Sequence, residues 1–299
     1  MPAEMSETLQ PAAPLPASAP ARDLAALRAE LDAIDDALHD LLRRRADTVA
    51  GLAASRLKDG AVLRPGREAT IIRRLLAREQ GALPRPALVR IWRELLAASV
   101  AMQGSFLVAV CEADPSNGYT QCAREQFGAL TPLRVHRSPA QAMAEVSAGT
   151  ATVAVLPVPA EDESPRDAWW TALLQKDEPR IYVVARLPFW APRPEGAPRV
   201  QALVVSAGPP DPTTRDRSLL GFEVSADVSR ARLAGALTTA GLKPESVILR
   251  RDPAAGAGHA LVEVAGHIED ADPRLAALAP VLRRPVVLGA YAIPEGTPA

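Results

Sequence analysis

The chain has 299 residues, 48% of them hydrophobic, and a formal net charge of -1. That length is enough for two or three domains with real cores, and the balanced charge excludes a global electrostatic pull towards nucleic acid. Two cysteines, Cys111 and Cys122, make neither a metal-ligand spacing nor a disulfide framework, and a bridge between them stays open. No apolar run reaches the length of a membrane span. Three lysines stand against 31 arginines, a bias expected of a GC-rich genome, so the choice of arginine over lysine says little at any one position.

The first 22 residues are rich in proline and alanine and lack a basic stretch followed by an apolar core. They read as a disordered lead rather than a signal peptide, which places the protein in the cytoplasm. In the next stretch, 23–57, apolar residues recur at Leu24, Leu27, Leu31, Ile34, Leu38, Leu41, Val49 and Leu52. Steps of three and four predict one stripe along an α-helix, with Asp23 as its N-cap. At 1.5 Å per residue the helix would be about 50 Å long. A small domain of one chain does not cover that length, so a coiled coil or an intertwined oligomer is expected. Arg28, Arg45 and Arg56 fall on or beside the stripe. A guanidinium facing a packed seam needs an anionic partner, supplied by the chain or by a ligand, unless it snorkels from the edge.

The Leu63–Gly66 turn precedes a second predicted helix, from near Arg67 to about Gln80, with Glu68, Ile71, Ile72, Leu75 and Leu76 inward. Gly81 and Pro84 end it. A third runs from about Pro86 to Met102 or Gln103, with Leu88, Ile91, Trp92, Leu95 and Leu96 inward, followed by Ser99 and Gln103 one turn apart. Alone, those last two would simply face water at a helix end. Together the three helices collect Arg28, Arg45, Arg56, Glu68, Ser99 and Gln103 on apolar-facing rows. Such a cavity suits a small dianion that also carries a hydroxyl or ether oxygen. The sequence shows no nucleophile–base pair, metal cluster or glycine-rich phosphate loop beside them, so the chemistry would be positioning and electrostatic stabilisation.

Residues 24–103 resemble an all-α chorismate mutase, through LRAELDAIDDALHDLLRRR, PGREATIIRRLL and the helix ending in SVAMQ. The resemblance implies a three-helix domain in an intertwined homodimer. It also implies the cofactor-free and metal-free rearrangement of chorismate to prephenate. Carried over by position, Arg45 clamps one substrate carboxylate and Arg28 reaches the other from the partner chain. Glu68 accepts from the substrate hydroxyl, Ser99 binds a carboxylate, Gln103 donates to the ether oxygen and Arg67 orders its neighbours. Arg56 stands where the family has a lysine donating to the same oxygen, and Arg64 stands where it often has an acidic residue.

Residues 106–160 alternate strand-like runs (FLVAV, ATVAVLPVP) with helical ones (SNGYTQCAREQFG, SPAQAMAEVSAG), an α/β pattern. This region resembles the first lobe of prephenate dehydratase, with its functional pieces degraded: Val158-Pro159-Ala160 replaces the family's Glu-Asn-Ser, and no Thr-Arg-Phe occurs. Trp169, Trp170, Phe189 and Trp190 are expected to form one aromatic cluster, either a binding surface or a cover over the α/β edge. Residues 215–294 read β-α-β-β-α-β and resemble an ACT domain, which implies an amino-acid effector or a partner enzyme there. Leu249-Arg250-Arg251-Asp252 departs from that module's ligand pattern.

The expected organisation is therefore a lead (1–22), a mutase helical domain (23–104), a degenerate dehydratase-like α/β region (105–190), a proline-rich linker (191–214) and an ACT-like domain (215–295). The function it implies is a chorismate mutase. The alternatives are a bifunctional mutase–dehydratase and, from another class, a non-catalytic regulatory or scaffold protein with a lapsed site.

Overall fold

The computed structural model describes residues 23–55, 63–163, 167–225, 227–252, 257–278 and 282–296. The lead at 1–22 and Arg56 lie outside the described residues. Contacts divide the chain into two compact units, Met1–Gly51 and Leu52–Ala299.

The first unit is dominated by α1 (Leu24–Ala54), a helix of 31 residues that crosses the boundary. At 1.5 Å per residue it is about 46 Å long. The Asp23 carboxylate accepts from the Ala25 amide at 3.1 Å, as an N-cap should. No residue of α1 is buried. Its apolar stripe is open to solvent in the single chain: Leu24 and Leu31 are each 60% exposed and Leu38 is 52%. A stripe of this kind is the exception among surface leucines, because it is continuous rather than scattered.

In the second unit, α2 (Pro65–Arg78) and α3 (Arg85–Ala101) form a hairpin, each with proline in its first turn. Proline there loses no hydrogen bond and presets φ for the helix. The remaining elements are β1 (Val108–Cys111), α4 (Gly118–Phe127), β2 (Leu133–His136), α5 (Pro139–Ser147), β3 (Val153–Pro157), a 3-10 helix (Trp169–Gln175), β4 (Ile181–Leu187), β5 (Ala202–Ala207), β6 (Asp216–Ser225), α6 (Arg230–Thr239), β7 (Pro244–Asp252), β8 (Ala257–Ala265), α7 (Pro273–Ala276) and β9 (Arg283–Ala292). Among the described residues nine strands join one sheet in the order β2-β1-β3-β5-β4-β9-β6-β8-β7. The N-terminal end is parallel, β1 pairing with β2 and β3. Strand β5 runs antiparallel to both β3 and β4. The β6–β9 end is an antiparallel β-α-β-β-α-β unit, as the sequence predicts, although α7 is a single turn.

The two halves of the sheet meet where β4 runs parallel to β9 at Val183 and Gly289. Gly289 has φ 137, and a Cβ there would stand 2.1 Å from the Val183 carbonyl oxygen. Only glycine satisfies both the torsion and the close approach. Buried runs such as Val-Ala-Val-Cys in β1 mark strands covered on both faces. In β6 the faces alternate: Leu220, Phe222 and Val224 pack under α6, whereas Leu219 joins the opposite core with Trp169 and Trp170.

Two expectations are corrected here. The segment 191–214, expected to be a linker, contains β5, whose Ala202–Val205 are buried in the middle of the sheet. Its prolines flank the strand and leave its ladder amides intact, so their density misleads. The four aromatics are not one cluster. Trp169 and Trp170 lie in one core, with their indole N–H groups donating at 2.9 Å to the Pro157 carbonyl and the Glu163 carboxylate. Phe189 and Trp190 instead pack against α2 and α3.

Candidate functional site

Arg28 and Arg45 lie on α1 in the first unit, Arg28 exposed and Arg45 half-buried. The other described candidates lie in the second unit, on the α2–α3 hairpin.

Glu68 falls in the first turn of α2, on its inner face with Ala69, Ile72 and Leu76. It is 8% exposed, and its Oε2 accepts from the guanidinium of Arg93 on α3 at 2.9 Å. Arg93, 3% exposed, stacks over the Phe189 ring at 4.7 Å. Burial pushes the Glu68 carboxyl above the usual range, opposed by the charge of Arg93. The same burial lowers Arg93 to about 10, opposed by Glu68. Each charge is thus tolerated because the other is present. Among the described residues Glu68 Oε1 accepts no hydrogen bond. Arg67, one residue earlier, is exposed.

At the end of α3, Ser99 is buried and its hydroxyl donates to the Leu95 carbonyl at 2.6 Å. The Gln103 amide nitrogen donates to the Ser99 carbonyl at 2.7 Å. The two groups are therefore stacked one turn apart and tied to the helix end, rather than left facing water.

The sequence stripe for α3 is rotated relative to the structure. Ile91, expected inward, is 46% exposed, and Val89, Arg93 and Val100 are buried instead. A charged residue is the last one to assign to an inner face from pattern alone, and only its pairing with Glu68 makes the burial possible.

Two arginines fix this hairpin to the C-terminal body. Arg64, next to α2, pairs with Asp211 at 2.8 Å. Arg73 bonds Glu295 and the Ile293 carbonyl, each at 2.6 Å, and Thr213 at 3.0 Å. Gly66 lets the Asp211 backbone approach, since a Cβ there would lie 2.5 Å from its carbonyl oxygen. Arg64 thus has a local partner at a position where the mutase resemblance leads one to expect an acid. The signal was present in the sequence, as Asp211 between two prolines, but 147 residues away.

Among the described residues no group of His, Cys, Asp and Glu could hold a metal ion, and no helix is long and apolar enough to cross a membrane. His136 stands 3.7 Å from Glu145 and His267 stands 4.0 Å from Asp216. Cys111 and Cys122 are free thiols, both buried.

Residues 27–104 match the family described as chorismate mutase type II. The bifunctional chorismate mutase/prephenate dehydratase of Pseudomonas aeruginosa is 28% identical over 142 residues, 45% of this chain and 38% of that protein. The chain thus spans about two-fifths of the length of the curated relatives it matches. Among solved structures, a protein titled a novel type of quorum quenching acylase, GqqA, aligns at 20% identity with a TM-score of 0.48, covering 63% of this chain and 96% of that one. A prephenate dehydratase from Streptococcus mutans aligns at 17% identity and a TM-score of 0.46, covering 62% of this chain and 97% of that one.

Proposed function

We propose that the protein is a chorismate mutase, rearranging chorismate to prephenate in the cytoplasm as a homodimer. The match of residues 27–104 to the type II mutase family is the observation that carries this reading. The polar groups of α1–α3 fit it chemically. The reaction is unimolecular, so the protein's work is to hold the compact conformer and to meet the charge that grows on the ether oxygen as its C–O bond breaks. In this proposal Arg28 and Arg45 take the two carboxylates, Ser99 adds a hydrogen bond to one of them, and Gln103 and Arg56 donate to the ether oxygen. The free Oε1 of Glu68 accepts from the substrate hydroxyl while Oε2 stays with Arg93. Arg67 orders the neighbouring side chains.

The dimer is proposed from α1, whose continuous exposed stripe needs a cover that a second copy of the helix supplies. Sedimentation of the intact protein tests it: a dimer is expected, and Leu31→Asp combined with Leu38→Asp should give monomers without turnover. The β-α-β-β-α-β unit at 215–295 is read as the place where an amino-acid effector or a partner enzyme acts.

The decisive experiment follows loss of chorismate by purified protein, with part of each sample acidified to convert prephenate to phenylpyruvate. Prephenate alone is the expected product. Phenylpyruvate formed without acid would replace this reading with the bifunctional one, and no loss of chorismate would replace it with the scaffold one.

A further inference from the structure

The sheet face opposite α6 holds a concentration of charge that the mutase reading does not use. A cavity of about 410 Å³ opens there between β4–β5 and the strands β6 and β9. Arg186, Arg193, Arg199, Arg215 and Arg217 line it, and no carboxylate does. The rest of its wall is largely apolar, with Leu187, Val200, Ile293 and three prolines.

Its floor is rigid. Glu263, 7% exposed, accepts from Arg217 at 2.7 Å, from Arg186 at 3.2 Å and from the Tyr291 hydroxyl at 2.6 Å. The same hydroxyl accepts from Arg186 at 2.9 Å, and a second guanidinium nitrogen of Arg186 donates to Gln201 at 2.7 Å. One buried carboxylate therefore fixes two guanidiniums from different strands, which is how a preorganised anion site is held. Beyond this floor a second cavity of about 340 Å³ shares Arg186, Arg217 and Tyr291 but includes Glu263.

The local charges do not balance. Arg193 has Glu125 to itself. Arg215 reaches Glu295 at only 3.4 Å, and Arg73 holds that carboxylate at 2.6 Å. Arg217 shares Glu245 with Lys243. Arg199 has no ion pair among the described residues. Five guanidiniums thus meet four carboxylates, two of which also serve other cations. The surplus lies on Arg199 and Arg215, which are exposed and so can meet an anion arriving from solvent.

We infer that this cavity binds a small organic dianion, a dicarboxylate with a compact apolar body. Two carboxylates fit because the two guanidiniums least committed within the chain, Arg199 and Arg215, come from separate segments of the wall. An apolar body fits because the remaining wall offers a bare anion nothing. The volume lies in the range of ligand-sized clefts.

The test is calorimetric titration of the full chain with phthalate at constant ionic strength, with benzoate and inorganic phosphate alongside. One phthalate per chain is expected, bound about tenfold more tightly than benzoate or phosphate. Arg199 is exposed and the Arg215 side chain is 53% exposed, so their alanine variants should keep the fold. Each should weaken phthalate by about fivefold or more and leave chorismate turnover unchanged, whereas Arg45→Ala should leave phthalate binding unchanged. The idea is overturned if phthalate does not bind, if phosphate binds equally well, or if both cavity variants bind phthalate like the parent. The inference is independent of the mutase reading, and these outcomes stand whether or not chorismate is consumed.

Discussion

Replacing Arg93 by methionine isolates the one buried ion pair of the helical hairpin. The substitution keeps an unbranched apolar stem on the inner face but removes the guanidinium over Phe189 and strips Glu68 of its counter-ion. Glu68 is 8% exposed and its bond to Arg93 is 2.9 Å. Breaking such a pair from one side costs about 3–5 kcal/mol, a large part of the roughly 5–15 kcal/mol that holds a typical domain together. The loss depends on pH, with a sign the structure fixes. Burial already raises the Glu68 carboxyl, and Arg93 opposes that rise. Without Arg93 the folded-state value rises further above the unfolded one. A carboxyl raised in this way gives stability that is complete below its unfolded pKa and is lost as pH climbs through the folded pKa. The deficit of Arg93→Met is therefore smallest near about pH 4 and largest above neutrality. Urea denaturation followed by circular dichroism at mildly acidic and mildly alkaline pH measures it. Glu68→Met combined with Arg93→Met should recover most of the loss, because no charge is then left buried. A single variant within about 1 kcal/mol of the parent at alkaline pH, or a double variant no better than the single, would refute the reasoning.

Three further expectations follow from the same coordinates and the proposed site. Arg45→Ala and Gln103→Ala should each abolish chorismate turnover, with helical circular dichroism retained; unchanged turnover in either sinks the site assignment. Gly289→Ala should lower stability by about 2 kcal/mol or more, read as a fall in thermal midpoint, because the new Cβ would meet the Val183 carbonyl at 2.1 Å and the residue would sit at φ 137. Burial pushes the Cys111 thiol up to about 11 and the Cys122 thiol up to about 12. Both should resist a disulfide reagent at slightly alkaline pH until the protein is unfolded, and rapid labelling of the native protein would contradict their placement.

The sequence was most legible where pattern and burial agree. The first three helices, the strand–helix alternation of 106–160 and the final β-α-β-β-α-β order are read from the sequence pattern, because each keeps a regular apolar row even where, as with Glu68 and Arg93, a polar residue joins it. It was least legible where a polar group is buried or a partner is distant. Arg93 has no apolar signature, and its place inside α3 depends on Glu68 across the hairpin. Strand β5 is short and lies between prolines, so composition hides it. Of the candidate site, the residue types and their spacing along each helix were visible. The commitment of Glu68 to Arg93 was not, since it joins residues 25 apart through a face that the stripe assigned to Ile91. The charged cavity was out of reach for the same reason, as Arg186 and Glu263 are 77 residues apart and meet only when β4 lies alongside β9.

The fastening of α2 by Arg64 and Arg73 changes what a module boundary means in this chain. A fused module can normally be cut free and keep its shape. Here a protein truncated after residue 104 would strip Phe189 and Trp190 from Ile72, Leu76, Val89 and Leu96, and would leave Arg64 and Arg73 without Asp211 and Glu295. The hairpin shares its packing with the body that follows it. A substitution at Asp211 or Glu295 would therefore be felt at the helices as well.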